Sequence, residues 1–381
     1  MRSFFTQSAS KNVTLVIAFI VTALISACNP KGDAVVPQSV SVDVNASSKI
    51  DATTIDDSTS TLKSVASFPI GIALNSKLIV NNPKVAGLVS TQFSSRTVPV
   101  FMNIQSAPGK FNFTELDNSV KLAQGLNLRL HGHCLVYHLA APEWMTQFKG
   151  TTAEFEAAIK NHIQTVVGRQ KGKIASWDVI NEIFDDKGNM RATAFRALYP
   201  SDAAYMTFVK KCFQWAHEAD PAATLIYNDY GYESTPAKLQ AVLKMIADFK
   251  LSGTPINGIG TQTHINLNTS EAGVRNALQQ LAATGLQVHM SELDIAVNPK
   301  NDASFTFTKA IAVAQRLKYQ TIATIYKQSV PAAQQYGITL WDISDADSWL
   351  VTEKQPREMP TLFDTQYNKK AAFFGMLQGL K

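Results

Sequence analysis

The chain has 381 residues, 45% hydrophobic and 17% charged, which suits one large globular domain or two small ones and excludes a highly charged extended chain. Its formal net charge of +5 becomes 5 − 2 = +3 once Arg2 and Lys11 are set aside with the leader described next. The remaining basic residues are scattered rather than gathered with aromatics into one stretch, which argues against a nucleic-acid-binding surface.

Arg2 and Lys11 precede an apolar run over residues 13–25, too short for a comfortable membrane span but suited to the core of a signal peptide. The run ends in Ile25-Ser-Ala-Cys28, a small-residue site followed directly by cysteine, which resembles the lipobox of bacterial lipoproteins. That resemblance implies that residues 1–27 are removed and that Cys28 carries the lipid. The acyl chains would anchor the protein to a bacterial outer membrane or cell surface, on its outer or periplasmic face, without a transmembrane helix. An ordinary secretory signal that happens to contain a cysteine is the alternative. Residues 29–66 contain no Phe, Trp or Tyr and are rich in Ser, Thr, Asp and Val. Such a segment has too little apolar surface to order itself, so residues 28–66 read as a tether reaching roughly 35 Å.

From residue 67 a different rhythm begins. Eight short β-branched runs, at 69–74, 87–93, 126–131, 174–181, 224–228, 258–262, 287–292 and 337–341, are separated by longer segments. These include helical patterns at 113–124, 153–169, 205–219 and 236–249. Eight βα units over 67–381 predict a single α/β domain, a (β/α)8 TIM barrel. A doubly wound open sheet is the rival, weakened because no Gly-rich phosphate loop follows the first run. Cys212 lies on an apolar helical stripe with Phe208, Val209, Phe213 and Ala216 and reads as core. Cys134 follows a histidine at a strand end, where a nucleophilic thiol is conceivable, but nothing in the sequence supplies it with a base. Two thiols so far apart do not announce a disulfide.

Barrel enzymes gather their reactive groups at the carboxyl ends of the strands. Here those ends carry His131, His133, Tyr137 and His138, then Asn181-Glu182, Asn228-Asp229-Tyr230, Gln262 and His264, Glu292 and Asp294, and Trp341 with Asp345 and Trp349 close behind. Amides, carboxylates and imidazoles suit sugar hydroxyls, and flat aromatic rings such as Tyr137, Trp341 and Trp349 suit the C–H faces of a pyranose. Glu182 and Glu292 each close a short apolar strand, a costly place for a carboxylate unless chemistry needs it. Glycosidic cleavage asks for such a pair, a proton donor to the leaving oxygen and a carboxylate on the opposite face, roughly 5.5 Å apart in a retaining enzyme. His131 and His133 share a strand face at two-residue spacing, as metal ligands can, but the later strand ends offer Gln and Glu rather than further His and Asp. No metal and no cofactor are expected. Trp177 and Asp178 are as readily structural as functional, Trp349 could be packing, Asp294 could simply partner a core histidine, and His289 reads as core.

From about residue 67 to the end, the chain resembles glycoside hydrolase family 10, the retaining endo-β-1,4-xylanases. The resemblance rests on SWDVINE at 176–182, MSELDI at 290–295 and GHCLVYH at 132–138, with His162-Ile163, Asn228-Asp229-Tyr230, GIGTQTH at 258–264, LWDISDADSW at 340–349 and TLFD at 361–364, all in family order. It implies Glu292 as nucleophile and Glu182 as acid/base, with Asn181 gripping the sugar 2-hydroxyl. It further implies that His264 contacts the nucleophile, oriented by Asp294. Gln262, His133 and Tyr137 would line the cleavage subsite, Trp341 and Trp349 would cover it, and Tyr230 would stack on the leaving-group side. The pattern breaks at the second strand, where Pro99, Val100 and Asn103 replace a Glu, an Asn and a Lys that hold the sugar one unit beyond the cleavage point. Tyr137 also replaces a Trp, and His131 an Arg. The expectation is a monomeric, membrane-tethered endo-β-1,4-xylanase acting on xylan-type cell-wall polysaccharide. Two alternatives stand beside it: a hydrolase of a decorated or different β-linked backbone, and a glycan-binding protein with little turnover.

Overall fold

The computed structural model describes residues 59–381. The leader, Cys28 and all but the last residues of the expected tether lie outside the described residues. Eight strands form the central sheet: β1 Ile70–Ala73, β2 Ser95–Pro99, β3 Arg129–His133, β4 Ser176–Asn181, β5 Thr224–Asp229, β6 Gly258–Thr261, β7 Gln287–Ala296 and β8 Gln335–Trp341. Each pairs in parallel with the next, and β8 returns to β1 through Ile70 opposite Ile338 and Ala73 opposite Trp341. The sheet therefore closes, as expected for a (β/α)8 barrel, and the open-sheet rival is set aside.

The helices form where the sequence supplies caps and an apolar stripe. Thr151 and Glu154 make a reciprocal capping box ahead of Thr152–Arg169, whose buried face carries Phe155, Ile159, Ile163, Val166 and Val167. Ser201 caps Asp202–Ala219, and Pro236 occupies the first turn of Pro236–Leu251. Cys212 is buried on the Asp202–Ala219 helix, in the packing role its stripe predicts, and Cys134 is also buried and unpaired. Burial pushes both thiols well above their ordinary pKa. No helix of the described residues is long and apolar enough to cross a membrane.

The second run is misplaced in the sequence reading. Residues 87–93 do not form a strand; they lie in the helix Pro83–Gln92, capped by the Asn82 side chain, and end at its C-cap Phe93. Val85, Val89 and Phe93 are fully buried at four-residue spacing, so the apolar pattern there has the helical period. The actual strand, Ser95–Pro99, carries the buried polar residues Ser95, Arg96 and Thr97 and does not look apolar. The third strand is shifted later, to Arg129–His133, because the preceding helix runs to Gly125 and Asn127 turns the chain with a φ of 53°. Strand β3 lies tightly against β4: a Cβ on Gly132 would fall 2.3 Å from the ring of fully buried Trp177, which fixes Trp177 as a packing residue.

Candidate active site

Glu182 leaves the end of β4 with a φ of 54°, a left-handed conformation that costs a non-glycine residue on the order of 1 kcal/mol or more. Thr263 beyond β6 and Asp342 beyond β8 adopt it too, at 61° and 67°. Local hydrogen bonds hold Glu182 there: its N–H donates to Asn228 O at 3.0 Å, and Arg191 Nε donates to its carbonyl at 3.1 Å. Glu292 sits within β7, and its N–H donates to Gln262 O at 3.0 Å. Both carboxylates are buried, yet both line one cleft of about 730 Å3.

A chain of amides ties the two together. Asn228 Nδ2 donates to Glu292 Oε1 at 2.7 Å and to Asn181 Oδ1 at 3.1 Å. Asn181 Nδ2 then donates to Glu182 Oε1 at 3.2 Å, and Gln262 Nε2 donates to the same oxygen at 2.9 Å. Ser291 Oγ fixes the flip of Asn228 by donating to its Oδ1 at 2.7 Å. Asn228 fits because its neighbour on β6 has no side chain: a Cβ on Gly260 would lie 2.1 Å from Asn228 Oδ1. With its donors committed this way, the network presents two amide N–H groups to Glu182 Oε1 and one to Glu292 Oε1.

Two imidazoles stand beside Glu292. His264 Nδ1 bonds Asp294 Oδ2 at 2.7 Å and Nε2 bonds Glu292 Oε2 at 3.2 Å. Burial lowers the pKa of His264, but Asp294 and Glu292 more than offset this and raise it to about 10, so the ring is an imidazolium at neutral pH. Asp294 also accepts from Trp349 Nε1 at 2.8 Å, which sets the indole beside His264 with ring centroids 5.0 Å apart. His133 Nδ1 bonds Asp178 Oδ2 at 2.8 Å and lies 4.0 Å from Glu292 Oε1. Burial disfavours its charge, while the Asp178 hydrogen bond and the Glu292 carboxylate raise its pKa overall. Asp178 takes His131 Nε2 on the same oxygen at 2.9 Å. Burial would raise the Asp178 pKa, but the two imidazoles hold it well below the usual carboxylate range. Among the described residues no group of three or more His, Cys, Asp or Glu side chains is arranged to hold a metal ion.

All ten catalytic and sugar-contacting candidates from the sequence reach this cleft: His133, Tyr137, Asn181, Glu182, Tyr230, Gln262, His264, Glu292, Trp341 and Trp349. Asp294 stands behind them, and His289 is buried with Nε2 on Thr339 Oγ1 at 2.8 Å, a core role. Tyr137 lies beside Glu182, and burial together with that carboxylate pushes its hydroxyl pKa far up, so the phenol stays a donor. Sequence reading missed Arg191, whose Nη2 donates to Tyr230 Oη at 3.1 Å, and Lys354, stacked 4.0 Å from the Trp349 ring. It also missed Phe101 and Leu139, 44% and 72% exposed on the cleft wall. Asn228 was visible in its motif, but no local signal marked it as the link between the glutamates. Pro99, Val100 and Asn103 do not line the cleft; they face an adjoining hollow.

The sequence pattern of glycosyl hydrolase family 10 matches residues 60–379. The chain belongs to that family. Among similar family 10 proteins, the endo-β-1,4-xylanase Xyn10C of Cellvibrio japonicus is 34% identical over 82% of this chain and 56% of its own length. An endo-1,4-β-xylanase A of a Caldicellulosiruptor species is 33% identical over 81% of this chain and 46% of its own length. The chain thus spans about half the length of these relatives. A xylanase 10C of C. japonicus, solved as a mutant with xylopentaose, superposes with a TM-score of 0.79 at 34% identity, covering 84% of this chain and 69% of that one. A family 10 structure from Paenibacillus barcinonensis gives 0.78 at 28% identity, covering 83% and 96%.

Proposed function

We propose that this family 10 protein hydrolyses internal β-1,4 linkages of xylan-type polysaccharide with retention of anomeric configuration. The observation that carries the reading is the Glu182 and Glu292 pair, buried at the rim of one cleft and joined through Gln262, Asn181 and Asn228. Glu292 attacks the anomeric carbon and forms a covalent glycosyl intermediate while Glu182 protonates the leaving oxygen. Glu182 then deprotonates the water that releases the sugar. Esterification consumes the charge on Glu292, which removes the repulsion against a second carboxylate, so Glu182 can serve as base in the second step. The His264 imidazolium stabilises the Glu292 carboxylate before attack and as it re-forms. Asn181 is placed to hold the sugar 2-hydroxyl, and Trp341, Trp349, Tyr137 and Tyr230 supply ring faces for the chain. The named xylanase relatives support xylan as backbone.

The test is reducing-end release from linear xylan, with the first product's anomer read by proton NMR. The β-anomer from wild type, and its loss in Glu292→Gln with polysaccharide affinity intact, is the expected result; the α-anomer would refute retention. A glycan-binding protein without turnover is the second reading, favoured by Pro99, Val100 and Asn103, which carry no charge at the glycone end. Wild type that binds xylan and releases nothing would establish it. We also infer that Cys28 is lipidated and that the catalytic domain acts at a membrane surface. Cys28→Ala should move the protein from the membrane to the soluble fraction, and membrane retention of that variant would refute the anchor.

A further inference from the structure

A hollow of about 360 Å3 adjoins the cleft, and Phe101 lines both. Ser76 and Ser119 line it while only 8% and 4% exposed. Both hold Arg96, a fully buried side chain. Arg96 Nη2 donates to Ser76 Oγ at 2.6 Å and to Leu74 O at 3.2 Å, and Nη1 donates to Ser119 O at 3.2 Å. Every one of these acceptors is neutral, and burial alone lowers the guanidinium pKa, to about 10, so the charge persists at neutral pH. A buried cation without a carboxylate is an expensive arrangement.

Counting protons shows where that charge is directed. The Ser76 and Ser119 hydroxyls bond each other, which uses one of their two protons. The other finds no acceptor among the hydrogen bonds of the described residues, whichever serine donates. Ser76 Oγ presents its lone pair to Arg96, so the hydroxyl pair relays positive potential from the guanidinium towards the hollow. At the rim, Lys77 and Glu115 are 3.5 Å apart and largely cancel, which leaves Arg96 as the uncompensated charge. The Asn75 and Asn112 side-chain oxygens accept the backbone N–H groups of Lys77 and Thr114, and their amide nitrogens remain as further donors.

We propose that this hollow binds a carboxylate-bearing sugar branch of a glycan lying in the cleft, with the spare hydroxyl proton of the Ser76 and Ser119 pair donating to the carboxylate and Arg96 supplying its counter-charge. The proposal rests on the polysaccharide-hydrolase reading and adds a preference for acidic branches. The full chain carrying Glu292→Gln is titrated by calorimetry with xylotetraoses, each bearing one glucuronic acid branch on a different unit. The same compounds with the carboxyl reduced to an alcohol are the controls. At least one acidic isomer is expected to bind about tenfold more tightly than its reduced counterpart, the value of one charge-assisted hydrogen bond, with the advantage shrinking in salt. Arg96→Met removes the charge, and Ser119→Asp places a protein carboxylate where the branch would sit. Each should bring the ratio near one, with thermal denaturation verifying the fold. Equal affinities for every isomer in the parent, or a preference that survives in a folded variant, overturns the proposal. If Arg96→Met does not fold, Ser119→Asp at the wall of the hollow decides. Failure of the hydrolase reading is distinguishable, because wild type would then release no reducing ends even from linear xylan.

Discussion

Replacing Asp294 with Asn keeps the shape and a hydrogen-bond acceptor for His264 but removes a full charge 2.7 Å from its Nδ1. The rise of His264 from 6.5 to about 10 corresponds to roughly 5 kcal/mol of preference for the imidazolium. Asp294 and Glu292 share it, so losing one partner forfeits on the order of 2 kcal/mol and brings the titration towards neutral pH. Because the folded pKa lies above the ordinary value, the stability from this group is complete below about pH 6.5 and is lost as pH rises through about 10. In Asp294→Asn the plateau is lower and ends earlier, so the variant should fall furthest behind wild type below about pH 6.5, and the gap should close as pH rises through about 10. Catalysis should follow: the alkaline limb of kcat/KM moves down by more than one pH unit as Glu292 loses its imidazolium. Proton NMR of the His264 ring across pH 5–11, with the pH-rate profile beside it, measures both. An alkaline limb and a His264 titration that stay at wild-type values in a folded variant would refute the charge-partner argument.

Glu182→Ala should slow both steps on polysaccharide, yet leave the first nearly intact for an aryl glycoside whose leaving group needs no proton; a pre-steady-state burst detects the accumulated intermediate, and its absence would remove Glu182 from the acid/base role. Gly260→Ala drives a methyl to 2.1 Å from Asn228 Oδ1, so it should cost about 1–3 kcal/mol in urea unfolding and far more in activity than in stability, since Asn228 carries the link to Glu292. Burial raises Asp342 to about 7 while its Oδ2 accepts the Trp349 N–H at 2.7 Å. Its ionisation therefore drains stability as pH climbs from about 4 to 7. Asp342→Asn should stabilise the fold above pH 7, by at most about 4 kcal/mol, and change little in acid; equal shifts in melting temperature at pH 4 and pH 8 would contradict this.

The barrel is legible in the sequence because most of its strands are compact, largely apolar runs between turn residues, as in Thr224–Asp229 and Gly258–Thr261. Strand β2 is the exception for a physical reason. Its interior position 96 is an arginine hydrogen-bonded to Ser76 and to the carbonyls of Leu74 and Ser119, contacts 20 to 23 residues distant that no window of sequence displays. The more apolar segment upstream captures the strand reading, although Val85, Val89 and Phe93 recur at the helical period. The site divides in the same way. Residues at the strand ends are found from position alone, whereas Arg191 reaches Tyr230 from a loop, and Asn228 reaches Glu292 across 64 residues.

The buried charges at the rim also explain why the site needs the closed barrel. Asp178, Glu182, Glu292 and Asp294 would repel one another if desolvated together, and three imidazoles from other strand ends, His131, His133 and His264, are interleaved among them. Each contact crosses between elements: β3 to β4 for His131, β3 to β4 and β7 for His133, and the segment after β6 to β7 for His264. Asp178, Glu292 and Asp294 therefore gain these partners only once the strands are in register. A slip of one residue in β4 would turn Asp178 away from both histidines and present Asn181 and Glu182 to the wrong neighbours, leaving buried charges unpaired. The pairing that positions Glu182 and Glu292 is thus the same pairing that selects the register, and substitutions at Asp178 should disturb folding and activity together.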